Sequence, residues 1–445
     1  MSPPTSIQTL LSSPVIVPIE PMDTVLTEHA IAIDNGRIID LLPRATAVKK
    51  YAPKTHIEYD HHILMPGLIN AHTHAAMALM RGVASDVSLM HWLQKHIWPL
   101  EEQFVDEQFV HDGSELAIAE MLRGGTTCFN DMYFFPEVTA RVASSIGMRA
   151  VIGMIMIEFP TRYAGSAEEY LSKGLAMFDA YKNDPLITNV FAPHAPYTVS
   201  DNTLKKISQL ANELDLPVHM HVHETASEIN DSLKQYGMRP LARLDQHGLV
   251  NPNLLAVHMT QLTPEEVCLV AATGASIIRC PESNLKLASG MCPVQALQTA
   301  GARLLIGTDS CASNDDLDMF SEIRSAALLA KGVSQDATAF SAQQALRAVT
   351  IEAAHGLGLG SEIGSLQAGK SADIIAIECN TIESQPQYDL YSHLTYSTDR
   401  SRVCDVFVAG RQLLKHRTLT TTSEDDIINK ARHWSAKIAG SQQPA

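Results

Sequence analysis

From about residue 64 the chain alternates short apolar or β-branched runs with longer amphipathic stretches, the pattern of repeated βα units. Eight runs read as strands: ILMPGLINAH (63–72), TTCFND (126–131), RAVIGMIM (149–156), ITNVFAPH (187–194), PVHMHVH (217–223), LLAVH (254–258), ASIIRCP (275–281) and ARLLIGTD (302–309). Eight consecutive units predict a closed (β/α)₈ barrel with its chemistry at the C-terminal strand ends. Between the strands, LANEL (210–214) and EIRSAALLAK (322–331) repeat apolar residues at spacings of three and four, as outer helices require. Outside the barrel, HAIAIDNGRIIDLLP (29–43) carries an Asn-Gly hairpin turn, and SADIIAIE (371–378) and DVFVAGRQLL (405–414) hold two more short strands. The expected architecture is therefore α/β: a TIM-like barrel over residues 64–365 beside a small β-sandwich domain. Both chain ends build that domain, residues 1–63 and 366–445, the second part closing with a helix.

Composition narrows the function. The 445 residues exceed the roughly 250 that one α/β barrel needs. Acidic residues outnumber basic ones 49 to 33, the formal charge is -16, and no Lys/Arg-rich block occurs, so a nucleic-acid partner is not expected. The seven cysteines are dispersed without a CxxC, which fits a reducing, cytoplasmic location. The first residues, MSPPTSIQTLLSSPVIVPIEP, lack a basic start and are a poor signal peptide, and no apolar run approaches the ~20 residues of a membrane span.

The ends of strands 1, 4, 5, 6 and 8 carry a histidine or aspartate: His72-Thr73-His74, His194, His221, His258 and Asp309. A lone histidine at a strand end is usually structural, but the ends of strands 1, 4, 5, 6 and 8 converge on one mouth. An HxH pair on a strand aims both imidazoles the same way, and a third histidine with a carboxylate completes a site suited to Zn²⁺ or Fe²⁺. Strand 5 carries an ambiguity. In PVHMHVHE (217–224) a period of two puts His219, His221 and His223 on one face, and spacing alone does not choose between them.

PGLINAHTH (66–74), HVHE (221–224), His258 and GTDS (307–310) together resemble the amidohydrolase superfamily in its mononuclear deaminase branch, and GSLQAGKSADIIAIE (364–378) extends the match over nearly the whole chain. MALMRGVASDVSLMHWLQKHIWPLEE (77–102), CPESNLKLASG (280–290) and NDDLDMFSEIRSAALLAK (314–331) look like 5-methylthioadenosine/S-adenosylhomocysteine deaminases, and the related triazine hydrolases share much of this wording. The resemblance implies hydrolytic deamination of an adenine nucleoside by a metal-activated water. It implies one divalent ion, Zn²⁺ or Fe²⁺, held by His72, His74, His221 and Asp309. His221 is selected because the family ligand lies three residues before a glutamate, here Glu224. Strand 4 offers no lysine for the carbamylated bridge of binuclear relatives, which favours one metal. Asp309 would also act as base, His258 would orient the attacking oxygen, and Glu224 would protonate the ring nitrogen. A homo-oligomer is implied as well.

For the substrate, the resemblance implies that Glu101 accepts hydrogen bonds from the ribose hydroxyls and that His194 contacts the nucleoside. Arg162 in FPTRYAG is a candidate carboxylate clamp, or a solvated loop residue; Met77, Met80, Met90, Trp92 and Trp98 are candidates for an apolar thioether pocket, or plain core. Ser310-Cys311 follows Asp309 where many relatives carry Gly-Ala. Two alternatives stay open: deamination of another base, such as guanine or 8-oxoguanine, or hydrolysis of a triazine; and a silent assembly protein on the same scaffold, which would normally have lost ligands.

Overall fold

The computed structural model describes residues 3–441. Eight parallel strands stand in chain order, each hydrogen-bonded to the next: β1 (Leu68–Thr73), β2 (Thr126–Asp131), β3 (Arg149–Met156), β4 (Ile187–Pro193), β5 (Val218–Val222), β6 (Leu254–His258), β7 (Ser276–Arg279) and β8 (Arg303–Ile306). Ile69, Cys128, Val151, Val190, Val257, Ile278 and Leu305 point inward as one fully buried cluster, joined by Ala353 and Ala354 of the helix Ile351–Gly356. The alternate positions, such as Val218, Met220 and Val222 of β5, pack beneath the surrounding helices. The seam between β8 and β1 is closed largely by side chains. Asn70 donates to Thr308 Oγ1 (2.7 Å) and accepts from the Thr308 amide (3.0 Å), and the Asp309 amide donates to the His72 carbonyl (3.0 Å).

The run 63–72, expected as one strand, is two. His62–Pro66 belongs to the terminal sheet, antiparallel to Ile374–Glu378, and β1 starts at Leu68. The break falls at Gly67, where a Cβ would stand 2.0 Å from Thr127 Oγ1, so the chain passes this close to β2 only without a side chain. Farther along β1, Asn70 pairs with Phe129 while Thr73 pairs with Asp131, so three steps on one strand match two on the other. This bulge reverses which residues face inward. Ile69 and Ala71 face the interior before it, and His72 and His74 face the mouth after it.

The expected β-sandwich takes the form of one nine-stranded sheet, five strands from residues 5–66 and four from residues 374–419. It forks at Thr5–Ile16, which runs parallel first to Tyr51–Glu58 and then to His62–Pro66, with Leu26–Asp34 on its other edge. The Asn35-Gly36 turn links Leu26–Asp34 to Arg37–Pro43 as a two-residue hairpin. Sheet and barrel are tied by a buried ion pair: Arg149 at the start of β3 donates to Asp373 through Nε (2.9 Å) and Nη2 (3.2 Å), and to Ser371 Oγ (2.9 Å). The terminal helix Glu424–Ser441 lies on the barrel helix Glu107–Arg123, where Trp434 Nε1 donates to Asp112 Oδ2 at 2.9 Å and meets the Phe109 ring edge-on. Among the described residues no helix is long and apolar enough to cross a membrane.

Candidate active site

The C-terminal strand ends open into a cavity of about 670 Å³. On its floor His72, His74, His221 and Asp309 each present one ligand atom, all within 4.8 Å of one another. Each histidine has its Nδ1 engaged elsewhere, which turns Nε2 to the common centre. His72 Nδ1 meets His219 Nε2 (2.8 Å), His74 Nδ1 meets the Met132 carbonyl, and His221 Nδ1 meets the His194 carbonyl (2.7 Å). Asp309 Oδ1 lies 3.3 Å from His72 Nε2 and 3.2 Å from His74 Nε2, and His221 Nε2 lies 3.2 Å from His72 Nε2. Ligands ~2.0–2.1 Å from a tetrahedral Zn²⁺ sit ~3.3–3.4 Å apart, so the donor set and its spacing fit one divalent cation. Burial holds the His72 imidazole at about 4 and drives His221 well below the ordinary value, so both stay neutral and able to ligate. Burial opposes ionisation of Asp309, but hydrogen bonding to His72 and His74 outweighs it and holds the carboxyl well below its usual range.

Local backbone sets these directions. His258 (φ 75°) and Asp309 (φ 64°) lie in the left-handed region, which turns each side chain across the mouth as its strand ends. Gly307 allows β8 to approach β1, since a Cβ there would stand 2.5 Å from the His72 nitrogen.

Around the ligands stand groups for proton handling. Asn284 Nδ2 donates to His258 Nδ1 (3.0 Å), so His258 carries its proton on Nε2, 3.7 Å from Glu224 Oε2. Burial raises the Glu224 carboxyl, and Ser289 Oγ donates to its Oε1 at 3.0 Å. Ser283 and Ser313 both donate to Asp309 Oδ2, at 2.6 and 3.1 Å. The Glu224 amide donates to Glu228 Oε2 (2.7 Å), and the His223 amide to its Oε1 (3.0 Å). None of Ser283, Asn284, Ser289, Ser313 or Glu228 was marked out by the spacing of histidines. For Ser283, Asn284 and Ser289 the signal lay in CPESNLKLASG, whose small polar residues sit on and after the short helix Pro281–Lys286 that follows β7.

The wall is mostly apolar. Met77, Trp92 and Trp98 line it with Leu93, Ile97 and Phe159, whereas Met80 is fully buried core and Met90 packs against that core. Glu101 lies in this wall on the helix Trp98–Phe104 and accepts from Tyr133 Oη at 3.0 Å; burial pushes its carboxyl up to about 7. The Tyr133 ring stands 6.3 Å from the His74 ring, so Glu101 sits one aromatic side chain away from the ligand cluster. Glu102 also lines the cavity but is exposed. His194 borders the cluster, its ring 4.8 Å from that of His221 and its Nδ1 3.2 Å from Thr198 Oγ1. Arg162 is an exposed rim residue bonded to the Gln103 carbonyl at 2.8 Å. Ser310 lines the cavity while its Oγ caps the helix Cys311–Asn314, and buried Cys311 touches Arg81.

The three histidines of PVHMHVHE separate by depth. His219 lies beneath His72 and supports it. His221 reaches the floor. The period of two fails at His223, because β5 ends at Val222 and His223 takes a left-handed backbone (φ 55°). Its Nε2 accepts from the Leu241 amide at 3.0 Å and its Nδ1 lies 3.7 Å from Glu266, so it is buried behind the wall and does not face the substrate space.

The amidohydrolase family model matches residues 63–413. The chain belongs to the amidohydrolase family. Within that family it is 46% identical over 429 residues to a 5-methylthioadenosine/S-adenosylhomocysteine deaminase from Saccharophagus degradans, covering 96% of each chain. A crystal structure of an adenosine deaminase from Xanthomonas campestris with bound zinc superposes at TM-score 0.97 with 51% identity, over 98% of this chain and 100% of that one. A guanine deaminase from C. acetobutylicum shares the fold, at TM-score 0.81 and 20% identity over 91% of this amidohydrolase and 99% of that chain.

Proposed function

We propose that this amidohydrolase removes the amino group of adenine in 5′-methylthioadenosine, S-adenosylhomocysteine or adenosine, releasing ammonia and the inosine-type product. The observation that carries the reading is the placement of Glu101 in the wall of the cavity that holds the ligand cluster, Glu224 and His258 on its floor. A carboxylate can accept from both hydroxyls of a ribose diol, and a free base or a triazine has no diol to occupy it. The relatives named above as nucleoside deaminases, and the zinc in one of them, support this choice.

When bound, Zn²⁺, or Fe²⁺ in its place, lowers the pKa of a water from 15.7 toward ~7, so that hydroxide is available at neutral pH. Asp309, with Oδ2 fixed by Ser283 and Ser313, accepts the water's proton. The His258 Nε2–H donates to the oxygen that adds to the ring carbon. Glu224, whose carboxyl burial raises, donates a proton to the neighbouring ring nitrogen and then helps return one to the leaving amine. His194 borders the nucleoside beside His221. The apolar wall of Met77, Trp92 and Trp98 suits a thioether more than a zwitterionic tail, which favours methylthioadenosine.

Ammonia release should be followed with zinc-loaded and iron-loaded protein on methylthioadenosine, S-adenosylhomocysteine, adenosine, adenine and guanine, and chloride release on a chlorotriazine. The expected order has the nucleosides first. Rapid turnover of guanine with none of the nucleosides would reject the proposal.

A further inference from the structure

Strand β7 ends at Arg279, whose register partner Ile306 on β8 belongs to the apolar layer beneath the helices. Arg279 shares that outward face. The side chain is 3% exposed, and its Nε and Nη2 have no hydrogen-bond partner among the described residues. A guanidinium keeps its proton in proteins, so this is a buried charge whose compensation has to be sought. The Phe340 ring, 4.2 Å from the guanidinium carbon, offsets part of it. Among the described residues no carboxylate pairs with the guanidinium or accepts a hydrogen bond from it. Burial holds the nearby Glu322 carboxyl well above its usual range and pushes the Cys292 thiol up to about 12.

Arg279 lines a second cavity of about 240 Å³, enclosed by the residues after β7, the segment 290–296 and the helix Met319–Ser334. It shares no lining residue with the catalytic cavity. Val294, Leu329 and Ala330 form an apolar wall, and Met291 and Val333 stand exposed at its edge. Asn284 lines it too, and the same side chain meets His258 on the catalytic side.

We propose that this cavity binds a small carboxylate bearing a short apolar chain, its carboxylate accepting hydrogen bonds from Arg279 and its chain lying against Val294, Leu329 and Ala330. One cation calls for a monoanion. The apolar wall offers too few donors to replace the hydration of a phosphate dianion.

The test is calorimetric titration of the zinc-loaded, full-length protein with sodium butyrate, with butyramide and inorganic phosphate as comparisons at equal ionic strength. Butyrate can also reach the metal, so the informative quantity is the difference between proteins. The wild type is expected to hold a butyrate site that butyramide does not fill. Arg279→Met should weaken it at least ~30-fold, the loss typical of removing one partner of a desolvated charge pair. Ala330→Leu, which fills the cavity and leaves the guanidinium in place, should abolish the same site and carries the test if the first variant folds poorly. Butyrate binding that is absent in the wild type, or equal in both variants and the wild type, would overturn the proposal. So would phosphate binding more tightly than butyrate with the same dependence on Arg279.

Discussion

At the scale of single residues, the site is an arrangement of protons. Ser289 occupies Oε1 of Glu224 and leaves Oε2 beside His258, so the donated proton starts from one defined oxygen. Glu224→Gln is expected to keep its metal, measured by atomic absorption, while kcat falls ~10²–10⁴-fold. Ser289→Ala removes one bond to a charged or proton-carrying group, worth ~1.5–3 kcal/mol, and should lower kcat ~10–100-fold with little change in KM. A KM effect of the same size would make Ser289 a substrate contact instead. Glu101 predicts a pH dependence. With its carboxyl raised to about 7, it is protonated on the acid side of that value and loses acceptor capacity for the ribose diol. kcat/KM for nucleosides should therefore fall as the pH drops through about 7, beyond any fall shared with free adenine. Glu101→Gln should remove that extra limb; its persistence would separate Glu101 from the ribose. The ordered histidines and aspartate were readable because their residue types are costly to place by chance at five strand ends. Ser283, Asn284 and Ser289 were not, because a serine or asparagine after a strand is common and acquires its role only from what it touches.

At the scale of elements, β1 shows how local pattern misleads. ILMPGLINAH has no polar side chain before Asn70, so periodicity had no means to divide it at Gly67. The division comes from two different sheets that claim its halves, one through Ile374–Glu378 some 300 residues away and the other through β2. The bulge in β1 is likewise invisible in sequence, since it is defined by register against a neighbour. The join between the two sheets depends on Arg149 and Asp373, 5% and 3% exposed. Arg149→Ala leaves a buried carboxylate without its partner and is expected to destabilise the protein by ~3–5 kcal/mol, read as a lower urea midpoint with an unchanged slope. A shift under ~1 kcal/mol would place the pair among solvent-screened contacts.

At the scale of the whole molecule, the metal site draws on β1, β5 and the residues after β8, so binding and folding are linked. An ion that binds only the native chain adds ~4.1 kcal/mol when its free concentration is ~1,000 times Kd. Chelation should lower the thermal midpoint, and added Zn²⁺ should restore it; a midpoint indifferent to chelation would mean that the four ligands do not hold an ion in the native fold. By itself, the sequence determined the βα order, the strands at both chain ends and the histidines and aspartate at the strand ends, because periodicity and residue type are local properties; its resemblance to a family implied the four ligands. Tertiary structure decided which histidines of PVHMHVHE face the mouth, which small polar residues hold Glu224, His258 and Asp309, and where an arginine with two unpartnered donors borders a second cavity. Those outcomes depend on a left-handed turn at His223 and on contacts between residues distant in the chain, and neither leaves a periodic trace in the sequence.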